Sequence, residues 1–106
     1  MENTLVALVT APSTDVGRDI AHALLDRKLA ACVNIIPSIT SLYTWEGELC
    51  VDEEVLLIIK TTTSTFDALN SAVKKIHPYD VPEILALPVA AGSKDYLDWI
   101  HEVVKV

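Results

Sequence analysis

The run AACVNIIPSITSLYTWEGELCVDEEVLLIIKT, Ala30 to Thr61, decides the fold. Two long β-rich arms flank Glu46-Gly47, and Gly47 can take the positive φ of a tight turn, so the run reads as a hairpin. Pro37 has no N–H for a ladder and marks a bulge or bend in the first arm. The acidic run Asp52-Glu53-Glu54 is expected to break the second arm in the same way, as a solvated bend.

Upstream, TLVALVT (Thr4–Thr10) is a short β-branched apolar run and reads as a strand. Pro12 ends it, and Ser13 or Thr14 can cap a helix by accepting its free N–H groups. Val16, Ile20, Ala23 and Leu24 then recur at helical spacing. Downstream, Thr63 or Ser64 opens a second helix, with Phe66, Leu69, Val73 and Ile76 on one face and Asp67, Asn70, Lys74 and Lys75 on the other. Pro78 excludes His77 from the helical region, which ends that helix near Ile76. EILALPV (Glu83–Val89) reads as a fourth strand. A third helix follows Gly92-Ser93, with Leu97, Ile100 and Val104 inward.

The order β-α-β-β-α-β plus a terminal helix is the ferredoxin-like split βαβ arrangement, an α+β fold on an antiparallel sheet. Residues 1–106 fit one domain. A sheet with one wet face alternates apolar and polar residues, but Thr4–Thr10, Val55–Ile59 and Ile84–Leu87 are apolar on both faces. Two helices cover one face and the terminal helix covers part of the other. An oligomer that buries the remainder is therefore expected.

The totals narrow the function. Hydrophobic residues at 51% and charged residues at 22% describe an ordered globular chain. With 8 basic against 15 acidic residues, the net charge of −7 disfavours a nucleic-acid partner, which requires clustered Lys and Arg. No apolar run is long enough to span a membrane. Met1-Glu2-Asn3-Thr4 lacks the basic start of a secretory signal. Two cysteines make no disulfide framework, so a cytoplasmic protein with reduced thiols is expected.

Several motifs in register carry a resemblance. VTAP (Val9–Pro12), ACVNIIPSITSLYTWEGEL (Ala31–Leu49), VLLIIKT (Val55–Thr61), HPYDVPEILALPV (His77–Val89) and YLDWI (Tyr96–Ile100) together resemble the CutA family of divalent-cation tolerance proteins. The resemblance covers nearly the whole chain. It implies a ferredoxin-like protomer, a tight homotrimer, and a link to divalent metals, copper above all. The chain departs from the family at Asp80, where many members have Glu. It also has Val9 and Ile76 where some bacterial members have Cys and a second His, so of that trio only His77 remains.

The candidate metal ligands are His77, Cys32, Asp80 and Glu83, for copper or another divalent metal ion. Two other roles are open: His77 could cap the preceding helix as a protonated ring bonded to its last carbonyls, and Cys32 could be a buried apolar residue. The spacing contains no paired metal-ligand motif. Tyr43, Trp45, Lys60, Lys74 and Tyr79 are candidates for an effector pocket or subunit interface, by analogy with PII-like signalling trimers. His22 and His101 read as exposed helix residues without a specific role. No nucleophile with a neighbouring base is apparent, and Gly17, Gly47 and Gly92 are too far apart to cradle phosphate, so no enzyme activity is expected.

Overall fold

The computed structural model describes residues 3–105; Met1-Glu2, read above for a secretory signal, lies outside them. Four strands form one antiparallel sheet in the order β2-β3-β1-β4: β1 (Thr4–Ala11), β2 (Cys32–Trp45), β3 (Glu48–Thr62) and β4 (Ile84–Pro88). Three helices, α1 (Thr14–Asp26), α2 (Phe66–Ile76) and α3 (Lys94–Val103), complete the β-α-β-β-α-β-α order. This is the arrangement expected from the sequence.

Helix α1 begins where Ser13 Oγ accepts from the Val16 N–H at 3.2 Å. A Cβ on Gly17 would lie 3.2 Å from Val55 and 3.3 Å from Leu57, so the glycine lets α1 lie close against β3. Ile20 and Leu24 of α1, with Leu69 and Val73 of α2, bury the face formed by Ala7, Val9, Val55, Leu57 and Ile59. A short 3-10 turn, Thr63–Thr65, precedes α2.

The hairpin turns at Glu46 and Gly47, with φ of 51° and 81°. Positive φ at both central residues is the type I′ geometry whose twist matches the flanking strands. β1 pairs with β3 only from Val55 onward, so Glu48–Glu54 has β2 as its sole partner. The hairpin end therefore extends past the sheet as a two-stranded ribbon, and the protomer measures 43 × 26 × 22 Å.

Pro37 marks a bulge, as expected. Ile36 faces Leu56 and Ile39 faces Glu54, so β2 carries one extra residue there, and Ser38 takes φ 60°. The expected break at Asp52-Glu53-Glu54 is corrected: β3 runs unbroken from Glu48 to Thr62, and Glu54 is 7% exposed. The bulge in β2 absorbs the irregularity, which leaves β3 regular.

The second sheet face carries Val6, Leu8, Ile36, Leu56, Ile58, Leu85 and Leu87. Helix α3 packs on β1 and β3 and covers one end of it. There His101 Nε2 lies 2.7 Å from Thr4 Oγ1, so His101 has a structural contact that the sequence reading missed. Ile36, Leu85 and Leu87 remain 41%, 54% and 53% exposed.

Leu57 is fully buried at the centre of the helix-covered face. Leu57→Ala is expected to destabilise the fold by about 2–5 kcal/mol, because the close-packed strand cannot collapse onto the cavity. Urea unfolding of variant and native protein measures the difference.

Candidate functional site

A cleft of about 730 Å³ lies between the hairpin ribbon, from Glu54 at its base to Trp45 beside its turn, and the loop after α2. One wall is the hairpin, with Tyr43, Trp45, Asp52, Glu53 and Glu54. The other is Tyr79, Asp80, Val81 and Glu83, with Thr10 and Pro12 at the floor. The bulge sets the first wall. Before it, Ile36 shares a face with Leu56; after the extra residue, Tyr43 and Trp45 share that face with Cys50, Asp52 and Glu54. The cleft is therefore continuous with the partly uncovered apolar face.

Prolines set the second wall. His77 precedes Pro78 and takes φ −66°, ψ 131°, which stops α2. Its backbone N–H bonds Val73 O at 2.8 Å. Its ring folds inward, is 6% exposed, and places Nε2 2.7 Å from Thr10 O. Nδ1 lies 3.2 Å from the Tyr79 N–H. A carbonyl oxygen can only accept and an N–H can only donate, so Nε2 carries the proton and Nδ1 is the acceptor. The ring is thus the neutral tautomer, and it ties the loop to β1.

Tyr79 stacks obliquely on His77, with ring centroids 4.8 Å apart, and its hydroxyl donates to Glu54 Oε2 at 3.3 Å. Thr10, His77, Tyr79 and Glu54 form one connected polar chain across the cleft floor. Desolvation, then the charge of Glu54, raises the Tyr79 pKa. On the hairpin, the Tyr43 hydroxyl donates to Asp52, and this bond, followed by desolvation, raises the Tyr43 pKa well above that of a free phenol. Both phenols are held as proton donors, the wrong state for a nucleophile or base.

The expected ligand set does not assemble within one protomer. Asp80 and Glu83 line the cleft. Both ring nitrogens of His77 are engaged in hydrogen bonds, so neither has a free lone pair for a metal. This also corrects the capping alternative: the ring bonds β1, and the backbone N–H closes the helix. Cys32 pairs with Lys60, and Lys60 with Val6, whereas His77 bonds Thr10, displaced along β1 by about 13 Å at the usual strand rise. Cys32 sits instead near α3, with Lys60 Nζ 3.8 Å from its Sγ, in a cluster with Asn34 and Tyr96. Among the described residues, no three His, Cys, Asp or Glu side chains are grouped to hold a metal ion.

The candidate effector residues divide in the same way. Tyr43, Trp45 and Tyr79 line the cleft. Lys60 is on the covered end of the second face, hydrogen-bonded to Asn34, and Lys74 is exposed on α2; neither reaches the cleft. Sequence reading missed Asp52 and Glu54 as site residues because it placed them in a solvated bend. The alternation of Val55, Leu57 and Ile59, extended through the acidic run, is the signal that would have found them.

The family described as CutA1 divalent ion tolerance protein matches residues 5–103. The divalent-cation tolerance protein CutA of Thermus thermophilus is 56% identical over 97 residues, covering 92% of this chain and 94% of that one. Mouse protein CutA is 50% identical over 97 residues, but this chain spans only 55% of its length. The solved structure of the Thermus protein superimposes with a TM-score of 0.94 at 53% identity, over 99% of this chain and 100% of that one. That of CutA1 from Oryza sativa gives 0.94 at 47% identity, over 97% and 94%.

Because folded Tyr79 ionises above the ordinary phenol value of about 10, the native state holds its proton more tightly than the unfolded chain. That contribution is complete below about pH 10 and is lost as pH rises through the folded value. Tyr79→Phe is expected to lower stability at neutral pH and to flatten the alkaline decline. Urea midpoints measured from pH 7 to 12 check both.

Proposed function

This chain belongs to the CutA1 family of divalent ion tolerance proteins, and from that premise we propose a homotrimeric binding protein of the metal-ion response, without a catalytic step. The acidic cleft carries this reading. Asp52, Glu53, Glu54, Asp80 and Glu83 line it, and no Lys, Arg or His among the described residues does. Such a surface concentrates cations.

The donor chemistry sets limits on the ion. Carboxylate oxygens suit hard divalent ions, whereas copper favours imidazole and thiolate. His77 and Cys32, the softer donors, are engaged or distant, so a copper ion at the cleft would meet oxygen ligands. Ungrouped carboxylates fit loose association of divalent ions and not a caged site.

The assembly reading follows from the partly covered second face. Ile36, Leu85 and Leu87 expose a contiguous apolar surface that would be buried if this face of three copies turned toward a common threefold axis. Two further subunits would then border the cleft. This arrangement supports a second reading, a PII-like trimer that binds a small effector between subunits, and the observation favouring it is the cleft volume, which lies within the usual small-molecule range. Unpaired Cys32 and Cys50 suit the reducing cytoplasm. Among the described residues no helix is long and apolar enough to cross a membrane.

Light scattering is expected to give three times the 11.6 kDa protomer mass, and Leu85→Glu to dissociate the assembly. A native monomer would overturn the trimer. Calorimetric titration with Mn²⁺ is expected to give weak saturable binding that falls severalfold in Glu54→Gln and persists in His77→Ala. Equal heats for native protein and Glu54→Gln would sink the cleft as the metal site.

A further inference from the structure

We propose that Cys32 and Lys60 form a peroxide-responsive modification site, in which oxidation of the thiol ends in a covalent Sγ–Nζ bridge between neighbouring strands. The pair lies outside the cleft and owes nothing to the reading of the cleft as a cation site.

Strand register places the two side chains together. Cys32 on β2 and Lys60 on β3 are direct cross-strand partners, so they share a face of the sheet. Cys32 is half-buried, and Lys60 folds back so that Nζ lies 3.8 Å from Sγ. Asn34 is two residues further along β2 on the same face, and its side-chain oxygen accepts from Nζ. Among the described residues no carboxylate pairs with Lys60; the ion pair of Lys94 and Asp98 lies apart, on α3. The amine therefore has a sulfur and an amide oxygen as neighbours, with no acid to draw it away.

Tyr96 of α3 completes the cluster. Its hydroxyl bonds Cys32, and desolvation, followed by the charge of Cys32, raises its pKa. It stays a proton donor beside the sulfur. All four side chains belong to one chain, so the pair forms without a contribution from a neighbouring subunit.

The second thiol supplies the contrast. Cys50 is also free and half-buried, but its sulfur contacts Glu48 O and it shares a face with Asp52 and Glu54. Reactive cysteines sit in electropositive surroundings, because the thiolate is the nucleophile. Of the two, Cys32 is the one with an amine against its sulfur.

The chemistry balances with hydrogen peroxide as the oxidant. The Cys32 thiolate attacks one peroxide oxygen; the S–O bond forms, the O–O bond breaks, and hydroxide leaves. That hydroxide takes a proton from the Lys60 ammonium and departs as water. The freed Nζ lone pair attacks the sulfenic sulfur, the S–N bond forms, and the S–OH oxygen leaves with an amine proton as a second water. Sulfur loses two electrons and peroxide gains them. Sulfenic acids condense with a neighbouring nitrogen in this way.

The test treats the native assembly of Cys50→Ser, which has one thiol per chain, with hydrogen peroxide. Intact-mass spectrometry is expected to show a product about 2 Da lighter, restored by dithiothreitol. Trypsin cannot cut after a bridged Lys60, so Leu29–Lys60 and Thr61–Lys74 should appear as one looped peptide. Lys60→Arg in the same background is expected to abolish the lighter product and leave the Cys32 peptide about 16 Da heavier or more. The peptide map of the unsubstituted chain keeps the test decisive if Cys50→Ser fails to assemble. No lighter product, or one that persists in Lys60→Arg, would overturn the inference. So would a disulfide between two copies, seen at twice the protomer mass, or oxidation of Cys50 ahead of Cys32 in the unsubstituted chain.

Discussion

Strand β3 is paired on both edges from Leu56 to Lys60 and on one edge from Glu54 to its tip, and its side-chain alternation organises the rest of the molecule. Val55, Leu57 and Ile59 point into the helix-covered core. That anchoring sends Leu56 and Ile58 to the other face. Because β3 has no bulge, the same phase continues outward to Glu54 and Asp52. A one-residue slip would reverse every one of these placements, so the buried aliphatic run determines where the carboxylates stand.

The bulge at Pro37–Ser38 serves the same register from the opposite strand. With one extra residue, β2 changes phase, and Tyr43 and Trp45 come to the face that carries Asp52 and Glu54. Without it, Leu42 and Thr44 would take that face and the cleft would lose two of its rings. The loop after α2 closes the cleft from the other side. Its position is held by the neutral His77 ring, bonded to β1 at one nitrogen and to its own loop at the other. The histidine that looked most like a ligand is thus a tie that holds Tyr79 over Glu54.

Much of the fold was legible because it depends on local rules. Pro12, Ser13, Gly47 and Pro78 mark the ends of elements through their own backbone chemistry, and the structure has its boundaries there. The two-faced apolar strands also reported an incompletely covered sheet, visible as exposed Leu85 and Leu87. The acidic run was misread because charge was taken as a sign of a bend. Its carboxylates are accommodated by cross-strand pairing and by the Tyr43 and Tyr79 hydroxyls, which come from other parts of the chain.

The sequence by itself determined the element order, the hairpin, the bulge at Pro37, the corner at Pro78 and the family to which the chain belongs. Each follows from local φ preference, periodicity, or long motifs in order. The tertiary structure alone decided which polar side chains meet. It separated Cys32 from His77, kept Lys60 and Lys74 away from the aromatic wall, and brought Glu54 under Tyr79 across 25 positions of chain. The physical reason is that such meetings depend on strand register, crossover geometry and the phase of a single bulge, quantities that no local stretch of residues encodes on its own.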